Sequence, residues 1–272
     1  MGSIDSADPI LLEVADGVAR LTLDRADAGN AIDPPWAATL RRHAEALADR
    51  DDVRAILLTA NGKAFCVGGA LGYFSEAGDG IGEALHALAT ELHAGILALQ
   101  ALDAPLVVAV GGAAAGAGLS LVAGADLVVA SPKAKFAAAY TAAGLSPDGG
   151  QSWFLPRVIG LRRATELILT NRRLSAEEAL DWGLVNQIVA EDELEQAAAR
   201  LAATLASGAT AAFGASRRLL RDAATAELAD HLAAEADAIA GNGAHRDGRE
   251  GVAAFLAKRA PTFVGGRGAP RA

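Results

Sequence analysis

Apolar residues along the chain switch between a two-residue and a three-to-four-residue period, and the switches mark out its elements. Leu11 to Val14 and Val18 to Leu23, joined by Asp16-Gly17, carry the alternation and turn of a β-hairpin. Asp24 to Asn30 reads as a loop, and Pro34-Pro35 opens a helix predicted to run to about Asp49, with Trp36, Leu40 and Leu47 on its apolar side. Val53 to Thr59 is a buried strand ended by Asn61-Gly62, and Lys63 to Tyr73 is a glycine-bearing turn leading towards a helix. Ile81 to Leu102 is a long amphipathic helix with Leu85, Leu88, Leu92, Ile96 and Leu99 in one stripe. A β-branched run, Leu106 to Val110, stops at Gly111-Gly112. It is followed by a small-residue turn, Ala113 to Gly118, a helically spaced segment and a strand from Leu127 to Ala130.

After Phe136 the pattern changes. Gly144 to Gly150 is a loop, Ser152 to Arg157 begins a helix, and Ser175 to Glu178 is a capping box for a short helix to Trp182. Val185 to Val189 is the last strand expected. From Glu191 the chain reads as helices separated by Gly208, Thr225 and Gly241-Asn242-Gly243. Strands alternating with helices predict an α/β protein. Its core is expected over residues 1–190, with a helical region over 191–272 that packs on this core or on a neighbouring subunit.

Composition narrows the function classes. The 272 residues are 52% hydrophobic, enough for a sizeable core, and the net charge of −9 argues against nucleic acid as a partner. The lone cysteine, Cys66, excludes an intramolecular disulfide and fits a reducing compartment. No apolar stretch of about 20 residues is present, so no membrane span is expected. The N-terminal MGSIDSADP lacks the basic and apolar segments of a signal peptide. A cytoplasmic protein is the resulting expectation.

Candidate chemistry gathers at the two glycine turns. Gly112 to Gly118 fits the spacing of a dinucleotide phosphate loop, yet it lies a hundred residues into the chain, and neither Tyr73 nor Tyr140 is followed by a lysine four residues on. The five histidines are scattered; His86 and His93 share a helix face without a carboxylate or thiol at ligand spacing, so no metal is expected. Two readings of the turns stand. Either the glycines permit tight packing, or each turn offers one free backbone N–H and together they form an oxyanion hole.

A resemblance makes the second reading specific. Leu23 to Ala31 (LDRADAGNA), Lys63 to Leu71 (KAFCVGGAL), Pro105 to Asp126 and Phe136 to Leu161 follow the order and spacing of the crotonase, or enoyl-CoA hydratase/isomerase, family. Arg249 to Phe263 (REGVAAFLAKRAPTF) is similar to that family's tail. The resemblance implies a spiral of β-β-α turns with a helical C-terminal trimerisation region, assembled as a homotrimer or dimer of trimers. It implies acyl-CoA thioester substrates, with coenzyme A part of the substrate and no separate cofactor.

The matching oxyanion donors are the N–H groups of Gly69 and Ala117, where the family usually has Ala and Gly. The two glutamates of hydratases are matched by Ser120 and Tyr140, which cannot act as carboxylate bases. Asp148, in GLSPDGG, matches an acid/base aspartate of dienoyl-CoA and phenylacetate-pathway isomerases; read without the family, it is a turn or helix-cap residue. Arg25, Ala28, Ala70, Leu71, Lys258 and Phe263 match CoA-contacting positions, and Arg25 and Lys258 read equally well as solvated surface charges. The implied activity is migration of an enoyl-CoA double bond. A hydratase of the same family and a non-catalytic acyl-CoA-binding member are the alternatives.

Overall fold

The computed structural model describes residues 8–266; the N-terminal residues read above as lacking a signal peptide lie, up to residue 7, outside them. The hairpin forms as expected, with β1 (Ile10–Ala15) antiparallel to β2 (Val18–Leu23) across Asp16-Gly17. Helix α1 (Pro34–Ala48) starts where Asp33 Oδ1 accepts the Trp36 N–H at 3.0 Å.

From there the chain repeats one unit. Strand β3 (Ala55–Ala60) is followed by the short β4 (Ala64–Cys66) and by helices α2 (Leu71–Glu76) and α3 (Ile81–Ala101). Next come β5 (Leu106–Val110), β6 (Ala113–Ala115) and α4 (Ala117–Ala123), then β7 (Leu127–Ala130), β8 (Lys135–Ala137) and α5 (Gln151–Ile159). Each unit gives its first strand to one sheet and its second to another. The larger sheet runs β1-β2-β3-β5-β7-β10, closed by β10 (Gln187–Ile188), and the smaller β4-β6-β8-β9, closed by β9 (Leu174–Ser175), so the chain winds as a spiral of β-β-α turns. Strands β4, β6 and β8 are parallel neighbours, which brings the turns that follow them to one end of the small sheet.

The closing elements are α6 (Leu161–Thr170), β9 (Leu174–Ser175), α7 (Ala176–Asp181) and β10 (Gln187–Ile188). The capping box at α7 is complete: Ser175 Oγ accepts the Glu178 N–H, and the Glu178 carboxylate accepts the Ser175 N–H at 2.9 Å. Four helices follow, α8 (Leu194–Ala206), α9 (Thr210–Asp222), α10 (Leu228–Ala244) and α11 (Arg246–Leu256).

The strands β3, β5 and β7 are apolar apart from Thr59 near the end of β3, because both faces of the sheet are covered. Ile56, Leu58, Val108 and Val110 join the main core with Trp36, Leu40 and Leu92. Ala55, Leu57, Val107, Ala109 and Val129 pack instead on the alanine face of α8, Ala197, Ala198, Ala202 and Ala206. Arg217 of α9 is buried against Asp126 at 2.7 Å, and Asp126 also accepts the Leu106 N–H, fixing the start of β5.

Three expectations need correction. Lys63 to Tyr73 is not a turn throughout: Ala64–Cys66 pair with β6 as β4, and α2 begins at Leu71. Ala113 to Ala115 are not part of a turn; they pair with β4 and β8 as β6. Gly241-Asn242-Gly243 does not separate helices, since α10 runs through it to Ala244 and breaks at His245, whose extended backbone lets its ring accept the Asp247 N–H at 3.2 Å. Glycine weakens a helix by about 1 kcal/mol but does not end it. Small residues are needed where α10 meets α11, because a Cβ on Gly248 would lie 1.9 Å from the Asn242 carbonyl oxygen.

Candidate active site

The turns after β4 and β6 touch each other through their glycines. A Cβ on Gly68 would sit 3.0 Å from the Ala115 carbonyl oxygen and 3.4 Å from Gly116 Cα. Both residues also have positive φ, +95° at Gly68 and +52° at Gly116, a region that favours glycine. Gly112 and Gly118 serve packing: their Cβ atoms would fall 2.0 Å from the Lys63 carbonyl oxygen and 2.2 Å from that of Cys66. What approaches the backbone at these two positions is therefore the chain's own β4. Cys66 is fully buried there, and burial pushes its thiol up to about 12.

One backbone N–H is left over in each turn. Ile32 donates to Gly68 at 2.8 Å and accepts from Ala70 at 2.8 Å, leaving the Gly69 N–H between them without an acceptor among the described residues. Ala117 is the first residue of α4, and its N–H likewise has no acceptor among the described residues. Gly69 and Ala117 each lie three residues beyond a β4–β6 register pair, Cys66 and Ala114. A Cβ on Gly69 would meet the Phe74 ring at 2.8 Å, so Phe74 fills the space that an alanine methyl would take.

The third turn, after β8, brings Tyr140 over Gly116 and against Asp148, with the tyrosine hydroxyl donating to Asp148 Oδ1. Burial first, and the Asp148 charge second, push the Tyr140 phenol well above its ordinary value, so it is held as a hydrogen-bond donor. Ser120 is buried in α4, and its hydroxyl donates to the Asp148 carbonyl oxygen at 2.9 Å. Gly149, with φ +59°, packs on Ser120, where a Cβ would come within 2.9 Å of Ser120 Cβ.

Of two further residues in this network, Gln151 was not singled out from sequence and His93 was weighed only as a metal ligand. His93 Nε2 accepts the Gly149 N–H at 2.9 Å, which leaves Nδ1 as the ring's donor nitrogen. Gln151 is fully buried and donates from Nε2 to the Gly116 carbonyl oxygen at 3.1 Å. A histidine facing inward from α3 and an amide directly after PDGG were the available signals. Neither type specifies its partner at such sequence distance. Among the described residues no group of three or more histidines, cysteines, aspartates or glutamates could hold a metal. His43 and His245 have ordinary roles, on the Ile10 carbonyl and as the α11 cap.

The remaining candidates lie in two places. Arg25 is ion-paired with Asp33 at 2.5 Å, and Ala28 is in the adjoining short turn. Asn30 ties that loop to the β4 edge by donating to the carbonyls of Asn61, Ala64 and Phe65 at 3.0 to 3.1 Å. The Ala70 N–H is spent on Ile32, and Leu71 is exposed at the start of α2. Lys258 is exposed with φ +53° just past α11, and Phe263 packs back on Gly251. The tail is clamped by Asp247, which accepts from Val264 and Gly265 at 2.9 Å, and by Glu250, which accepts from Thr262 at 2.8 Å. The Arg259 guanidinium holds the Glu250 carboxyl down to about 2.

A two-sheet β-β-α spiral with three glycine- and alanine-lined turns at one end of the small sheet defines the crotonase class of fold. Residues 13–266 match the family described as enoyl-CoA hydratase/isomerase, and the chain belongs to that family, whose members act on acyl-CoA thioesters. It is 38% identical over 260 residues to a 1,2-epoxyphenylacetyl-CoA isomerase of Escherichia coli, covering 94% of this chain and 98% of that protein. It is 33% identical to a trans-2-decenoyl-acyl-carrier-protein isomerase of Streptococcus mutans, over 94% of this chain and 98% of that one. Among solved structures, an enoyl-CoA hydratase from Polaromonas superposes with a TM-score of 0.89 at 34% identity, covering 93% of this chain and 99% of that one. No helix among the described residues is long and apolar enough to cross a membrane.

Proposed function

We propose that the chain is an enoyl-CoA isomerase in which Asp148 shuttles one proton while the Gly69 and Ala117 N–H groups hold the thioester oxygen. Asp148 takes a proton from C2 of a 3-enoyl thioester, negative charge develops on the thioester oxygen, and the same carboxyl returns the proton at C4. The double bond thereby moves to C2–C3, and no atoms are gained or lost. Two convergent backbone donors stabilise the enolate because they strengthen as its charge grows. One carboxylate suffices, since the proton removed is the proton returned. CoA travels with the substrate, so the reaction needs no further cofactor or metal.

The observation that carries this reading is the Tyr140–Asp148 hydrogen bond. It occupies Oδ1 and leaves Oδ2, which has no donor among the described residues, to exchange the proton. Hydration would need a second acid/base to activate water. The two positions where hydratases carry glutamates hold the buried Ser120 hydroxyl, spent on a carbonyl, and a phenol kept protonated. Of the relatives, the trans-2-decenoyl-acyl-carrier-protein isomerase supports this direction, whereas another, 38% identical, is named a probable enoyl-CoA hydratase, so the reading rests on the geometry.

CoA is expected to lie along Arg25, Ala28, Ala70 and Leu71, with Lys258 and Phe263 contributed across a subunit boundary. A homotrimer, or a dimer of trimers, is supported by α10, which buries no residue within the subunit and exposes Leu228, Leu232 and Ile239 along one face. Asp148→Asn tests the central assignment: isomerisation should be abolished while affinity for an acyl-CoA is retained. Turnover at the wild-type rate would refute it.

A further inference from the structure

The peptide joining Gly116 to Ala117 has an unusual problem to solve. Gly116 adopts φ +52° and ψ −127°, a conformation only glycine takes without strain, and the resulting peptide plane decides where the Ala117 N–H points. Because the peptide is trans, its C=O and N–H point in opposite directions. Whatever fixes the Gly116 carbonyl oxygen therefore aims the Ala117 N–H. Two donors do so. The Ser120 N–H reaches that oxygen at 3.1 Å as the first bond of α4, and Gln151 Nε2 reaches it at 3.1 Å from α5.

We infer that Gln151 is a positioning residue that orients and polarises the Ala117 N–H and couples it to the Asp148 loop. Its side chain holds the Gly116 carbonyl while its own backbone N–H donates to the Asp148 carbonyl at 3.0 Å. One residue thus sets the spacing between the two groups that act on the substrate. A hydrogen bond to a peptide oxygen also makes the N–H at the other end of that peptide a stronger donor. The amide is fully buried, and its Oε1 has no partner among the described residues. Its orientation is forced, since an amide oxygen turned towards the Gly116 carbonyl would set two acceptors face to face.

The assignment presupposes that Ala117 N–H binds the thioester oxygen, and the test separates the two claims. Crotonyl-CoA is bound to Asp148→Asn protein, which holds it without turnover, and its thioester carbonyl stretch is measured by infrared difference spectroscopy. The stretch should move to lower frequency on binding. Adding Gln151→Met, of similar length but with no donor, should move it back towards the free value. In the otherwise wild-type protein Gln151→Met should lower kcat by about tenfold or more with KM changed less than about twofold. Gln151→Glu, closer still in shape, should lose activity at neutral pH and recover part of it on acidification, when its carboxyl regains a donor. Melting temperatures monitor folding, and the infrared shift is read on folded protein only. Loss of kcat with an unchanged carbonyl shift, or no loss at all, overturns the role of Gln151. Absence of any shift with Gln151 intact overturns the donor role of Ala117 as well.

Discussion

A single methyl group at residue 118 should separate the packing of the glycine run from its chemistry. A Cβ on Gly118 would stand 2.2 Å from the Cys66 carbonyl oxygen and 2.8 Å from Cys66 Cβ. Carbon-to-oxygen contacts of this kind normally settle at about 3.3–3.6 Å. In Gly118→Ala, α4 must therefore back away from β4 by about 1 Å, because the obstacle is strand backbone and cannot rotate aside. Overpacking of this sort costs about 1–3 kcal/mol. The displacement carries with it Ala117, the residue before, and a misplacement of about 1 Å at a reacting group lowers rate by about a hundredfold. Gly241→Ala is the matched control: nothing lies within 4 Å of its Cβ, and alanine in the interior of α10 should be neutral or stabilising by up to about 1 kcal/mol. Denaturant unfolding and steady-state isomerisation of a 3-enoyl-CoA are read on both variants. Gly118→Ala with wild-type unfolding midpoint and wild-type kcat would refute the reasoning.

Other consequences are as specific. His93→Leu removes the acceptor for the Gly149 N–H; hydrogen exchange at Gly149 should accelerate and kcat fall about tenfold, consistent with a loss of about 1–1.5 kcal/mol. The raised Tyr140 phenol stays protonated past its ordinary value of about 10, so kcat/KM should show no descending limb from this group up to that pH. By the same sign, its contribution to folding is complete below about pH 10 and is lost above it, where the unfolded chain ionises first; pH-dependent unfolding checks this. Leu232→Asp combined with Ile239→Asp puts two charges on the apolar face of α10; sedimentation should show the assembly reduced to single subunits.

The elements themselves were legible because their periods are long and clean. Alternation across Leu11 to Leu23, the stripe from Leu85 to Leu99 and the Ser175–Glu178 box each correspond to an element of the fold. The second sheet was not legible. Its strands are only two or three residues long, and Ala113 to Ala115 have no β-branched side chain to mark them. Their pairing comes from the neighbouring turns of the spiral, which no local pattern reports. For the same reason the glycines of residues 111–118 were ambiguous: two of them answer to a strand fifty residues away. Asp148, Tyr140 and Ser120 were named through the family resemblance, and the hydrogen bonds among them explain why these three types sit together. The roles of His93 and Gln151 escaped because a buried polar side chain is informative only once its partner is known.

Product analysis tests the account most directly. A 3-enoyl-CoA and its 2-enoyl isomer are each incubated with the protein in water, and the acyl-CoA products are separated and weighed by mass spectrometry. The single-carboxylate account predicts interconversion of the two isomers at constant mass, lost in Asp148→Asn. Accumulation of the hydrated 3-hydroxyacyl-CoA at a rate equal to or above isomerisation would contradict it.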